Sequence, residues 1–499
     1  MNVRSSGVLL HPTSLPTDYG IGDLGPAAYR FVDFLAAAGQ RLWQILPLTP
    51  ADPKHKSSPY HSTSAMAGNP LLISPELLVK EGLLAESDLA ESPDWPADRI
   101  DFQAVAAFKQ RLFDTAYDRF NHKKEHEASF ERFCARQDFW LKEFALFAAL
   151  KERFVGRPWI EWPLVIRRRT RDGLLAVRQE LADAVRREKF LQFIFFRQWM
   201  QLKNYCRQKE IKILGDIPIY VPDDSVDVWC HPELFKLNKN LKPYAVSGVP
   251  PDYFSRTGQR WGHPLYRWDA MRDNGYRWWI QRLEHNLQLC DLVRIDHFRG
   301  LVAYWQVPAR NKTAVNGKWV AAPVDDLLQH MLRRFACLPI IAEDLGIISA
   351  DVREVMQRYG MPGMRLLLFA FGEDFPDGAF LPHNHVKNCL VYTGTHDNNT
   401  VRGWFETEAT AENKANLADY LGRPVPAESI HWELIRLAMM SVAHTAVIPM
   451  QDILGLGAEA RMNDPSKPDG NWRWRLGENL VDSKLADRLR EMTRIYGRI

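Results

Sequence analysis

The chain has 499 residues, with 64 Lys or Arg against 61 Asp or Glu and a formal net charge of +3, so no global charge draws it to nucleic acid. Its longest apolar runs, such as 144–150, are too short to cross a bilayer, and the brief apolar stretch 8–10 after Arg4 lacks the hydrophobic core of a secretory signal. The six cysteines stand singly, without metal-site spacing, which predicts reduced thiols in a cytoplasmic protein with a neutral partner and no membrane or metal.

Aliphatic or β-branched runs bounded by turn residues fall at 7–10, 41–48, 211–221, 289–298, 338–343, 364–371, 389–395 and 445–450. Helical periodicity fills most of the gaps, at 27–38, 276–289, 324–335, 350–359 and 431–443. Eight strands alternating with helices predict an α/β chain, a (β/α)8 barrel forming one unit over 1–499. The loops after the strands are unequal. Residues 51 to about 205 form a charge-rich, mainly helical insertion, with helices at 102–120, 130–154 and 181–208. A loop rich in Pro, Trp and Tyr covers 222–275, and a smaller insertion covers about 401–430. The stretch after the eighth run is too short for an appended β-sandwich.

Three patterns suggest other chemistry and fail on context. GIGDLG at 20–25 matches a dinucleotide fingerprint, but HPTSLPTDY separates it from the preceding strand, and RLWQILPL ends in no acid for a ribose. His383 and His385 resemble a metal pair, yet they precede a strand instead of ending one. RRRTR at 167–171 reads as a solvated charge run beside a helix.

Acids at strand ends are the informative pattern. RIDHFRG (294–300) places Arg294 and Asp296 two apart on one strand, hence on one side, where the guanidinium favours an ionised carboxylate suited to nucleophilic attack. IIAEDLG (340–346) offers Glu343 and Asp344 on opposite faces, and either could be the second carboxyl, with Asp344 also able to cap the next helix. THDNNT adds His396 and Asp397, and ILGDIPIYV adds Asp216. Four acids at the ends of strands three, four, five and seven form a cluster of the kind glycosidic bond chemistry needs. The 17 Trp and 15 Tyr supply flat apolar faces that suit sugar rings as well as a core.

Nearly end to end, the chain resembles the 4-α-glucanotransferases, or amylomaltases, related to the α-amylase barrels. The resemblance rests on SGVLLHPTSLPTDYGIGDLG, SSPYHSTSAMAGNP, GDIPIYV, GVPPDYFS, RIDHFRG, AEDLG, THDN, RMNDP and GNWRWR, in that order. It implies that Asp296 is the nucleophile, Glu343 the general acid/base and Asp397 the transition-state stabiliser. It further implies that Arg294 and His396 contact this trio, and that Tyr60 and Asp216 line the donor sugar site. Tyr253, Phe254 and Trp261 would lie over the glucan channel, and Asn471 would bind sugar. The implied activity is retaining transfer of a 1,4-α-glucan segment to the 4-hydroxyl of another sugar, with maltooligosaccharides as partners and no cofactor. A glucan hydrolase and a noncatalytic glucan-binding protein are the alternatives. One departure is Ser466 after RMNDP, where the family often has Gly, so a positive φ there would strain the loop.

Overall fold

The computed structural model describes residues 3–51, 57–251, 255–346, 348–467, 469–478 and 480–499, the side chain of Lys124 excepted. Eight parallel strands form the central sheet: Ser5–Leu9, Leu42–Gln44, Lys212–Ile217, Leu292–Ile295, Ile340–Ala342, Gly363–Leu366, Cys389–Tyr392 and Thr445–Pro449. They are numbered one to eight below. Their order runs six, seven, eight, one, two, three, four, five. Strand five meets strand six through the Ala342 N–H, which donates to Pro362 O at 2.9 Å, and the Met364 N–H, which donates to Asp344 Oδ1 at 2.6 Å. The result is the expected (β/α)8 barrel, in which Asp344 stitches the last seam. A side chain at Gly363 would come within 2.4 Å of that carboxylate and displace it from the seam.

Alternation divides each strand between two cores. Leu9, Leu42, Leu214, Ile341, Met364, Leu390 and Val447 fill the barrel, where the Tyr392 hydroxyl donates to Gln44 Oε1 at 2.9 Å. Their neighbours Val8, Ile213, Val293, Ile340, Val391 and Ala446 face the surrounding helices. The strands are shorter than the apolar runs because buried residues continue into the loops at the barrel mouth. Ile45, for example, donates its N–H to Leu214 O at 2.9 Å just past strand two.

The first insertion holds the long helices Phe102–His122, Asp138–Arg153 and Ala182–Gln208. The last of these packs on strand three and on the first helix, Pro26–Ala37, with Tyr205 donating to Asp33 at 2.7 Å. Its C-terminal half thus acts as part of the barrel wall. The region 222–275 contains two strands that its Pro- and Trp-rich sequence hid. Gln259–Pro264, Ala245–Val249, Ala303–Pro308 and Lys318–Ala321 form, in that order, an antiparallel sheet beside the barrel mouth. No helix among the described residues is long and apolar enough to cross a membrane.

The three distracting motifs have structural roles. In GIGDLG, the buried Asp23 accepts the Gly25 N–H at 2.9 Å and sits 3.6 Å from Lys109, so a carboxylate occupies the turn before the helix. His385 pairs its ring nitrogens with Ser441 Oγ at 2.7 Å and Phe380 O at 2.8 Å, while His383 stacks on Tyr420. RRRTR is less solvated than its composition suggests. Thr170 caps the helix Arg171–Glu180, but Arg169 bonds Glu143 at 2.7 Å and lies over Trp229 at 4.2 Å.

Candidate active site

The C-terminal ends of strands three, four, five and seven open into a cleft of about 620 Å3 lined by Tyr60, Trp261, Arg294, Asp296, Glu343 and Asp397 among others. Strand register does the first part of the assembly. Asp216 on strand three lies beside Arg294 on strand four, and Ile295 lies beside Ala342, which puts Glu343 next to the Asp296 turn.

Arg294 is 3% exposed and carries the charge balance. Its Nη1 donates to Asp216 Oδ2 at 2.6 Å and its Nη2 to Asp296 Oδ1 at 2.7 Å, while Tyr60 donates its hydroxyl to Asp216 Oδ2 at 2.7 Å. Burial works against the guanidinium charge, but Asp216 and Asp296 outweigh it and hold Arg294 well above its ordinary pKa. Asp216 is fully buried beneath this layer, whereas the Asp296 side chain remains 31% exposed toward the cleft. One carboxylate supports the guanidinium and the other is presented.

Glu343 accepts the His297 N–H on Oε2 and the Leu345 N–H on Oε1, both at 2.7 Å. The His297 backbone is left-handed, with φ of 52°. Burial is the largest influence on Glu343 and pushes it up to about 7; Arg294 pulls down, and the Asp296 charge pushes up again. Its neighbour Asp344 points the other way, accepting from Met364 N and from Arg365 at 3.1 Å. Asp344 therefore belongs to the barrel seam. It does not cap the following helix, Ala350–Arg358, whose cap position is Ser349.

Asp397 sits in the loop after strand seven. Burial alone would raise it, but His396 at 3.3 Å, Asn463 and Arg294 together hold it well below the usual carboxylate range. Asn463 donates its amide to Asp397 Oδ1 at 2.6 Å. Burial opposes the His396 charge, yet Asp397 raises that imidazole overall. The ring of His396 stacks on Tyr60 with centroids 5.1 Å apart, and Trp472 lies 5.9 Å from it.

Ten site residues were expected to meet here besides Asp216, and most do. Trp261 lines the cleft, edge-on to His297 at 4.7 Å. Tyr253 and Phe254 lie outside the described residues. Asn471 lines the cleft, but its amide serves its own loop, bonding Asp464 N at 2.8 Å and Lys467 O at 3.0 Å. Ser466 is absent from the residues with positive φ and bonds Asp464 Oδ1 at 2.6 Å, so replacing Gly strains nothing there. The sequence reading missed Asn463, His297 and Trp472. All three lie inside motifs it quoted, but only the fold reveals that RMNDP and GNWRWR reach back to strand seven.

A barrel whose mouth joins a proton-holding carboxylic acid to a carboxylate kept ionised defines a glycoside-cleaving enzyme class. The comparisons make this specific. Residues 10–480 match the family model described as 4-alpha-glucanotransferase. A 4-alpha-glucanotransferase of Aquifex aeolicus is 45% identical over 99% of this chain and 100% of its own. That of Thermus thermophilus is 46% identical over 99% of both. The solved amylomaltase of Streptococcus agalactiae in complex with acarbose superposes with a TM-score of 0.96 at 39% identity, covering 99% of each chain. The chain belongs to the 4-alpha-glucanotransferase family, and it is an enzyme of that activity.

Proposed function

We propose that Asp296, Glu343 and Asp397 divide the chemistry of α-1,4-glucan transfer among them. Glu343 gives its proton to the glycosidic oxygen while Asp296 attacks the anomeric carbon, so the reducing-end fragment leaves and a glycosyl ester remains on Asp296. Arg294 holds Asp296 Oδ1, which turns Oδ2 to the attacking role. In the second step Glu343, now a carboxylate, takes the proton of an acceptor 4-hydroxyl; that oxygen attacks the anomeric carbon and releases Asp296. Two displacements retain the α configuration. Asp397, kept ionised by His396 and Asn463, stabilises the positive charge that develops on the ring.

The observation that carries this reading is the divergence of the carboxyl groups within one cleft: burial lifts Glu343 to about 7 while Asp397 is held far below the ordinary range. Maltooligosaccharides fit as donors and acceptors, with Tyr60, Trp261 and Trp472 supplying ring faces to the cleft. Incubation with maltotriose alone, without cofactor or metal, tests the function. The expected result is a ladder of longer glucans plus glucose at nearly constant total reducing ends. A steady rise in reducing ends without longer products would establish hydrolysis, and no change would favour a binding protein.

A further inference from the structure

The loop that carries Asp397 has no strand to rigidify it, since strand seven ends at Tyr392, five residues earlier. Its ends are fixed by the buried Asp452, which accepts from Thr393 Oγ1 at 2.5 Å and from Val401 N at 2.7 Å. The middle of the loop is folded on itself, with Asn398 Oδ1 accepting the Thr395 N–H at 2.9 Å and Thr395 Oγ1 accepting the Asp397 N–H at 3.3 Å, and one arginine ties it to the loop after strand eight. Arg461 Nη2 donates to the backbone oxygen of Asp397 at 3.0 Å, and its Nε donates to the backbone oxygen of Asn463 at 2.7 Å. The same guanidinium therefore fixes the residue that bears the carboxylate and the residue whose amide grips that carboxylate. Its Nη1 bonds Glu408 Oε1 at 3.1 Å, and Glu408 in turn accepts from Asn399 Nδ2 at 2.8 Å, two residues beyond Asp397. Asp464 lies 3.7 Å from Arg461 and is itself held by Lys467 at 3.2 Å. Arg461 is not among the residues that line the cleft; it stands behind Asp397 and Asn463, which do.

We infer that Arg461 is a positioning residue for transfer: with Glu408 as its anchor, it clamps the loop after strand seven to the loop after strand eight and so sets where Asp397 stands. The planar fork matters. A lysine offers one point charge and cannot hold two backbone oxygens and a carboxylate in fixed directions at once. A displacement of about 1 Å at a charge-stabilising group costs on the order of a hundredfold in rate. The inference rests on the proposed role of Asp397, and its test separates the two.

Steady-state transfer from maltotriose is measured for Arg461→Lys, Arg461→Ala, Glu408→Gln and Asp397→Asn, together with thermal midpoints and kcat/KM against pH. The expected results are a kcat loss of about a hundredfold for Arg461→Ala with KM changed less than about threefold. Glu408→Gln should lose less, and Arg461→Lys should fall between wild type and Arg461→Ala. In Arg461→Lys the acid limb of kcat/KM should move to higher pH, because a loosened Asn463 takes away one of the groups that hold Asp397 ionised and leaves it with His396, Arg294 and the nearby Tyr60. Added guanidinium should restore part of the Arg461→Ala activity. Wild-type kcat and acid limb in Arg461→Ala and Arg461→Lys, while Asp397→Asn is inactive, would overturn the clamp and leave the role of Asp397 standing. Activity retained in Asp397→Asn would overturn that role directly. Should Arg461→Ala fail to fold, a folded Arg461→Lys or Glu408→Gln with unchanged kcat and acid limb would still refute the proposal.

Discussion

Two buried arginines at opposite ends of the barrel are held in contrasting ways. Arg294 at the mouth faces two carboxylates and is driven above its ordinary pKa. Arg498 at the other end is fully buried and donates to five backbone oxygens: Met439, Ser5, His444, Ala438 and Ser441, at 2.7 to 3.3 Å. Burial, with help from Arg4, pulls Arg498 down to about 9. Neutral oxygens suffice to satisfy the fork and tie the last helix, Ser483–Ile495, and its following residues to strands one and eight. A charge counterbalanced by carboxylates does more: it holds one of them, Asp296, at the edge of a cleft. The floor of the barrel uses an arginine for closure, and the mouth uses one to hold two carboxylates beside the cleft.

The largest break in this contrast is at Asp296. Asp296→Ala should lower kcat by at least about a thousandfold with the fold intact, because an attacking group cannot be replaced by binding. Transfer assays with a far- and near-UV circular dichroism control check it; more than about a tenth of wild-type kcat would remove Asp296 from the nucleophile role. Arg294→Met should come next. It leaves Asp216 and Asp296 together without their cation, so stability should fall by roughly 3–5 kcal/mol and activity should fall with it. Urea unfolding with parallel kinetics would reveal both.

Arg498→Met sharpens the contrast from the other side. Stability should drop by about 2–4 kcal/mol as five carbonyl contacts are lost, while kcat and KM measured well below the new melting temperature stay within about twofold of wild type. A large kcat effect would mean that the two ends are coupled.

The strand ends were legible because a buried parallel strand is a short apolar run and its terminal acid interrupts that run visibly. Asp216, Asp296 and Glu343 stand out this way in ILGDI, RIDH and IIAED. The choice between Glu343 and Asp344 was not legible, since strand alternation gives two faces without saying which one meets the cleft and which the seam. The antiparallel sheet was hidden for another reason. Its strands are partly exposed and contain Gly and Pro, and Ala245–Val249 finds its partner Ala303–Pro308 more than fifty residues away. Asn463 and Arg461 act on Asp397 across a similar gap, and no local spacing encodes that. Arg169 looked solvated because its partners, Glu143 and Trp229, come from distant helices.

The smallest expected effect concerns Glu343 and pH. Its folded pKa of about 7 lies above the ordinary 4.5, so between those values the folded state binds more protons than the unfolded chain. That contribution to stability is fully present below about 4.5 and is lost as pH rises through 7. Wild type should therefore lose roughly 1–3 kcal/mol relative to Glu343→Gln across this window. Denaturant unfolding of both proteins at pH 4.5 and pH 8 measures the difference, and a gap that does not change with pH would refute the raised pKa. Over the same range, wild-type kcat/KM should decline above about pH 7 as the acid loses its proton.

The most direct test of the central claim is to trap the glycosyl ester. A fluorinated α-glucosyl fluoride carries a good leaving group and an electron-poor ring, so the first displacement proceeds and the second is slowed. Intact-mass analysis followed by peptide mapping should find one sugar per chain, on the peptide containing Asp296. A label on Glu343 or Asp397, or a fully reacted protein with no label and a β-configured product, would contradict retaining transfer through Asp296.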